Sequence, residues 1–105
     1  RIWIENNGET FLGFGRILLL EKIREHGSIS AAARSMKMSY KHAWDLVDSM
    51  NRQAGKKLVA TSKGGKGGGG TQVTEAGKKV ISEFKTLQKK FALFLQQETK
   101  KLNFR

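Results

Sequence analysis

The spacing of apolar positions changes several times along this chain, and each change predicts a new element. Ile2 and Ile4 alternate with Arg1, Trp3 and Glu5, and Asn6-Asn7-Gly8-Glu9 is turn chemistry ahead of Thr10-Phe11-Leu12, so a small N-terminal hairpin is predicted. From Phe14 or Gly15 to His26 the period becomes helical. Ile17, Leu18, Leu20 and Ile23 form a broad inward stripe, and Gly27 supplies the stop. Two shorter helices should follow across a tight turn. Ser30 is the expected cap of the first, whose run Ala31-Ala32-Ala33 lets another helix approach closely. Ser39 is the expected cap of the second. In that helix Ala43, Leu46, Val47 and Met50 face inward, and Lys41, Asp45, Asp48 and Arg52 point away until the pattern ends near Gly55.

Two short strand candidates come next, within about 57–61 and 71–74, separated by Ser62-Lys63-Gly64-Gly65-Lys66-Gly67-Gly68-Gly69-Gly70. Two strands and a loop make a wing. Its glycines give the loop nothing to pack with, while its lysines can follow a chain of phosphates. Thr74 then caps a last helix, with Glu75 in the first turn, where the helix dipole favours a carboxylate. Val80, Phe84, Leu87, Phe91 and Phe94 follow at alternating spacings of four and three, and Ile81, Gln88, Leu95 and Leu102 recur every seven residues. A helix over about 75–102 would reach on the order of 40 Å at ~1.5 Å per residue, more than so small a domain covers. Its N-terminal half is expected to pack on the Phe14–His26 helix. Its C-terminal half is expected to cross a two-fold axis, with Phe84, Leu87, Phe91, Phe94, Leu95 and Leu102 as the dimer contacts.

The predicted class is therefore α+β, mostly α. It is a winged helix-turn-helix over residues 1–105 as a single domain, with a long C-terminal dimerisation helix and a small N-terminal hairpin. Composition fits one folded unit, since 105 residues with 38% hydrophobic content suffice for a modest core. Charge narrows the partner. Lys and Arg number 20 against 9 Asp and Glu, a net +11 that no core requires and that a polyanion would relieve. Double-stranded DNA is the expected partner, because neutralising phosphates releases condensed counterions; an anionic membrane surface is the usual competitor. No apolar run approaches the ~20 residues of a membrane span. The chain contains no Cys, which excludes disulfides and thiolate metal sites and makes a reducing cytoplasm the expected home. Because it begins at Arg1, a short native N-terminus is expected to precede it.

Several catalytic and ligand readings fail on residue order. The glycine loop lacks the Gly-Lys-Ser/Thr of a nucleotide-phosphate cradle, since Gly67 follows Lys66. No metal or cofactor is expected: His26 and His42 belong to different helices, and no thiolate could join them. Ser39, His42 and Asp45 occupy one short helix, where the serine serves better as its cap than as a nucleophile, so no enzyme is expected.

Gly27-Ser28-Ile29-Ser30, then Ser39-Tyr40-Lys41 with Ala43-Trp44-Asp45, Met50-Asn51, the glycine wing 64–70, and Thr74 with Gly77 resemble the N-terminal DNA-binding domain of ModE-type molybdate-responsive transcription regulators. The resemblance runs from about Phe14 into the last helix and implies a winged helix related to LysR-type readers. Members of that family sense molybdate through additional C-terminal domains, which 105 residues leave no room for. The expectation is thus a stand-alone reader of molybdenum-related genes, with any oxyanion response supplied by a separate sensing partner.

In helix-turn-helix proteins the start of the second helix meets base edges, which nominates Ser39, Tyr40, Lys41 and His42, with Asp45 one turn on. Lys41 is the principal candidate, its ammonium suiting guanine O6 and N7 or a phosphate. Tyr40 either donates to a phosphate or fills the helix crossing. Asp45 either accepts from a cytosine amino group or, the preferred reading, holds a neighbouring cation in place. Trp44 is expected to pack with its indole nitrogen at the rim. Arg34 and Lys37 on the preceding helix, and Lys63 and Lys66 in the wing, are phosphate contacts that position without specifying. The expected function is sequence-specific reading of a palindromic site by a dimer. A non-specific architectural binder is the alternative, disfavoured by Asp45 and Asp48 on the outer face.

Overall fold

In the computed structural model, which describes residues 1–62 and 70–102, strands β1 (Ile4–Asn6) and β2 (Glu9–Leu12) pair antiparallel. Asn7 and Gly8 turn between them with φ of 53° and 82°, both positive as a tight hairpin of this hand requires. Three helices follow: α1 (Phe14–His26), α2 (Ile29–Ser35) and α3 (Tyr40–Ala54). A second two-stranded sheet, β3 (Val59–Thr61) with β4 (Thr71–Val73), forms the base of the wing, Val59 opposite Val73 and Thr61 opposite Thr71. The long helix α4 (Glu75–Leu102) closes the described chain. This is the winged helix-turn-helix that the hydrophobic pattern predicts, with its N-terminal hairpin and long last helix.

Helix ends fall where backbone chemistry places them. Gly27 and Gly55 end α1 and α3 in the left-handed region at φ 68°, each returning its N–H to a carbonyl of the last turn, Ile23 O and Arg52 O. At the start of α2 the structure corrects the expected cap. Ser28, not Ser30, accepts from Ala31 N at 3.1 Å, and Ser30 lies inside the helix with its hydroxyl accepting from Arg34. Starting two residues earlier lets Ile29 drop into the core at 3% exposure. Ser39 caps α3 by accepting from His42 N at 3.0 Å, and Thr74 caps α4 by accepting from Gly77 N at 3.1 Å.

Around the core, α1 contributes Ile17, Leu19, Leu20 and Ile23; α2 Ile29, Ala32 and Ala33; and α3 Ala43, Val47 and Met50. Leu58, Val59 and Val73 enter from the wing, and Ile81 and Phe84 from α4. Leu19 takes the buried place expected of Leu18, which is only partly covered. The wing is anchored on both sides: Thr71 N donates to Gly27 O, and Thr74 N and its hydroxyl both donate to Leu58 O. Gly77 permits the closest approach, since a Cβ there would run into the Leu58 carbonyl and the Val73 side chain. Beyond Phe84 no residue of α4 is buried, and the molecule extends 65 Å along its longest axis against 27 and 22 Å across.

Candidate nucleic-acid interface

Helix α3 buries Ala43, Val47 and Met50, and its periodicity turns Tyr40, Lys41, His42 and Asp45 outward at its exposed first turns. Lys41 Nζ donates to Asp45 Oδ2 at 2.9 Å across one helical turn, with both side chains mostly in solvent. Asp45 therefore holds a cation, as preferred from the sequence. The exposed pair is worth little to stability. Trp44 is half-buried and its indole N–H donates to the Tyr40 hydroxyl, the two rings meeting edge-on. Tyr40 does not fill the helix crossing; it is 54% exposed. A phenol that accepts from an indole keeps its own proton free to donate outward, as a phosphate contact requires.

The cationic flank is arranged by the turn. Arg34 lies exposed on α2, one nitrogen bonded to the Ser30 hydroxyl at 3.0 Å. Lys37 is not on the helix as expected. α2 ends at Ser35, and Lys37 occupies the turn into α3 in the left-handed conformation at φ 56°. The three-residue connection has to reverse the chain between the buried Ala33 and the cap Ser39, and a left-handed residue does so at a conformational cost for any side chain. Lys63 and Lys66 lie outside the described residues. Among the described ones, Thr61, Ser62, Gly70 and Thr71 of the wing face Ser28, Ser30, Tyr40 and Trp44 across an open cleft of about 280 Å³. Hydroxyls dominate that cleft, and a neutral donor wall of this kind suits the oxygens of a phosphate chain.

Two tethers fix α3 and were not read from the sequence. Asn51 Oδ1 accepts from Leu58 N at 2.8 Å and Val59 N at 3.2 Å, and its Nδ2 donates to Val59 O at 3.1 Å, so one side chain pins the wing to α3. Asn51 stood in the quoted Met50-Asn51 motif without a role. The second tether is Glu9, whose carboxylate accepts from Arg52 Nη2 at 2.7 Å and Ser49 Oγ at 3.1 Å. Hydrogen bonds from Arg52 and Ser49 hold the Glu9 carboxyl below the ordinary carboxylate range, and the same pairing raises the Arg52 guanidinium. Burial lowers the Arg16 guanidinium instead, while the Glu9 charge opposes that shift.

The family described as bacterial regulatory helix-turn-helix protein, lysR family, matches residues 14–78, from α1 through the wing into α4. The chain belongs to this family. Within it, the relatives are those the Ser39–Asp45 run and the glycine wing suggest. The molybdenum transport protein ModE of Azotobacter vinelandii is 38% identical over 103 residues, covering 98% of this chain and 38% of that protein. The molybdenum-pterin-binding protein MopB of Rhodobacter capsulatus is 42% identical over 92 residues, 88% of this chain and 34% of that protein. The DNA-binding transcriptional dual regulator ModE of Escherichia coli (strain K12) is 39% identical over 92 residues, 84% of this chain and 35% of that protein. This lysR-family chain thus spans little more than a third of the length of the curated relatives it matches. A solved LysR-family transcriptional regulator superposes with a TM-score of 0.59 over 90% of this chain and 31% of its own, at 16% identity, a likeness of fold.

Phe84 is corrected as a dimer contact. At 2% exposure it belongs to the core of its own domain, whereas Leu87, Phe91, Phe94, Leu95 and Leu102 are all exposed. Among the described residues no helix is long and apolar enough to cross a membrane.

Proposed function

We propose that the chain is the DNA-reading part of a transcription regulator of molybdenum-related genes, a binding protein rather than an enzyme, acting in the cytoplasm. The observation that carries this reading is the capped, exposed start of α3, with Tyr40, Lys41, His42 and Asp45 outward beside a hydroxyl-lined cleft shared with the wing. The relatives' printed names supply the molybdenum context, and the net charge of +11 supplies the attraction to phosphate. Lys41 reads a base edge under the hold of Asp45. Tyr40, Arg34, Lys37 and the wing lysines Lys63 and Lys66 grip the backbone. Any response to an oxyanion belongs to a separate sensing unit.

The exposed stripe Leu87, Phe91, Phe94, Leu95 and Leu102 supports assembly as a homodimer through the C-terminal half of α4. Two copies would place their α3 helices in successive major grooves, ~34 Å apart, on a roughly two-fold site. Selection from a random duplex library tests both statements. A palindromic motif should be enriched, and Lys41→Ala should lose preference for it, while Lys37→Ala and Arg34→Ala weaken selected and random duplexes alike. Enrichment of no motif, with affinity following salt alone, would instead support an architectural binder.

A further inference from the structure

The two ends of α3 have different surroundings, and the contrast assigns a role to the N-terminal hairpin. At its start α3 is exposed on the side carrying Tyr40, Lys41, His42 and Asp45. Toward its end a polar network joins it to elements that precede the helix-turn-helix. Ser49 is the buried polar residue among the described ones, at 7% exposure, and its hydroxyl is a hub. It accepts from Arg16 Nη1 of α1 at 3.0 Å and from Gln53 Nε2 at 3.0 Å, and donates to Glu9 Oε2 at 3.1 Å. Glu9 grips Arg52 through both oxygens, at 2.7 and 3.3 Å, and Gln53 Nε2 also donates to Thr10 O of β2 at 2.8 Å. The hairpin, α1 and the last two turns of α3 are therefore one hydrogen-bonded unit, with the paired arginine fork giving it direction as well as attraction.

We infer that Glu9 is a positioning residue for base reading, acting through Arg52 and Ser49 to set the angle at which α3 presents Lys41 and its neighbours. The inference rests on the DNA-reading function proposed above. Lys41 precedes Arg52 by eleven positions, so it stands ~16 Å up the helix axis. A tilt of about 5° about the braced end would move Lys41 by roughly 1.4 Å, enough to spoil a hydrogen bond to a base edge. The inward face seats α3 through Ala43, Val47 and Met50, with Trp44, Leu46 and Ala54 packed beside them, and apolar packing of this kind lacks the direction that the polar clamp supplies. Asn51 fixes the wing to α3, and Thr71 N ties the wing to Gly27 O at the end of α1; the Glu9 network adds a direct link from the last turns of α3 to α1 through Arg16 and to the hairpin through Glu9 itself. Glu9 precedes the segment 14–78 that carries the lysR-family match, whereas its partners Arg52 and Ser49, and Arg16 beside them, lie within it.

The test uses the duplex most enriched by the wild-type chain from a random library, a scrambled duplex, and the variants Glu9→Gln, Arg52→Gln, their double, and Glu9→Asp. Each Gln variant should lower the preference for the selected duplex roughly threefold to tenfold, while affinity for the scrambled duplex and the salt slope stay unchanged. The double variant should lose no more than the worse single one, because both break one link. Glu9→Asp, which keeps the charge, should retain more preference than Glu9→Gln. Should Glu9→Gln fail to fold, Arg52→Gln carries the same comparison. Unchanged preference in the Gln variants overturns the inference. So does equal loss on both duplexes, which would make Arg52 a phosphate contact or report unfolding. A wild-type chain that enriches no duplex overturns the DNA-reading function beneath it, and the inference falls with that function.

Discussion

Helix α4 carries one apolar spacing from end to end, yet its two halves live in different surroundings. Up to Phe84 the inward positions Gly77, Ile81 and Phe84 are buried by the wing and by α1, and Lys85 is paired with Glu21 at the edge of that contact. Past it, Leu87, Phe91, Phe94, Leu95 and Leu102 continue the pattern with between 40% and 58% of their surface in solvent. Periodicity thus reports that a helix has a face to cover, not which surface covers it. The N-terminal half answers to the stability of the domain. Under the proposed function the C-terminal half answers to a second copy, and substitutions in the two halves should separate those consequences.

The largest effect is expected at Phe84. Replacing this buried ring with Ala should cost about 3–5 kcal/mol of unfolding free energy, read from urea denaturation, and a cost below 1 kcal/mol would break the division of the helix. Gly77→Ala comes next. Its Cβ would meet the Leu58 carbonyl, a backbone atom that cannot step aside without moving the wing, so a loss of about 1–3 kcal/mol is expected despite the better helix propensity of alanine. In the other half the doubly substituted Phe91→Ser, Phe94→Ser chain should unfold within about 0.5 kcal/mol of the wild type at dilutions where both are monomeric. Sedimentation at higher concentration should then show a dimer for the wild type alone. Equal sedimentation of both would remove this face from the interface.

A smaller effect lies outside α4 and shows what an exposed polar contact contributes by comparison with these faces. The folded state holds the Glu9 carboxyl below its ordinary value near 4.5. That contribution to stability is therefore present above the ordinary value and is lost as pH falls through the depressed one. Glu9→Gln should flatten the acid side of the stability profile in that window without altering the alkaline side; an unchanged acid limb would show that the Arg52 and Ser49 bonds leave no mark on folding.

The parts of the fold governed by local rules were legible in the sequence. Gly27, Ser39, Gly55 and Thr74 mark helix ends that the structure places at those residues, because capping and left-handed closure depend on a few neighbouring positions. In α1 the unbroken run Ile17-Leu18-Leu19-Leu20 gives periodicity little to choose between, and Leu19 rather than Leu18 is buried. Ser30 was the expected cap of α2, but the cap falls at Ser28, which puts Ile29 into the helix and the core. Lys37 was misplaced because a left-handed lysine violates the residue preference that marks turns. Helical period turned Lys41 and Asp45 outward, and the place of Tyr40 and His42 at the start of the second helix nominated them; all four are exposed. Glu9 was not legible, because its bond to Arg52 spans 43 positions and no local pattern announces it.

The central claim is that the start of α3 reads sequence and does not merely attract phosphate. Fluorescence anisotropy of the wild-type chain with the selected duplex and its scrambled counterpart, each titrated across salt, tests it most directly. The account predicts a preference of ~10³ or more that persists as salt rises. Equal affinities that fall together with salt would contradict it and leave the charge of +11 as the whole of the interaction.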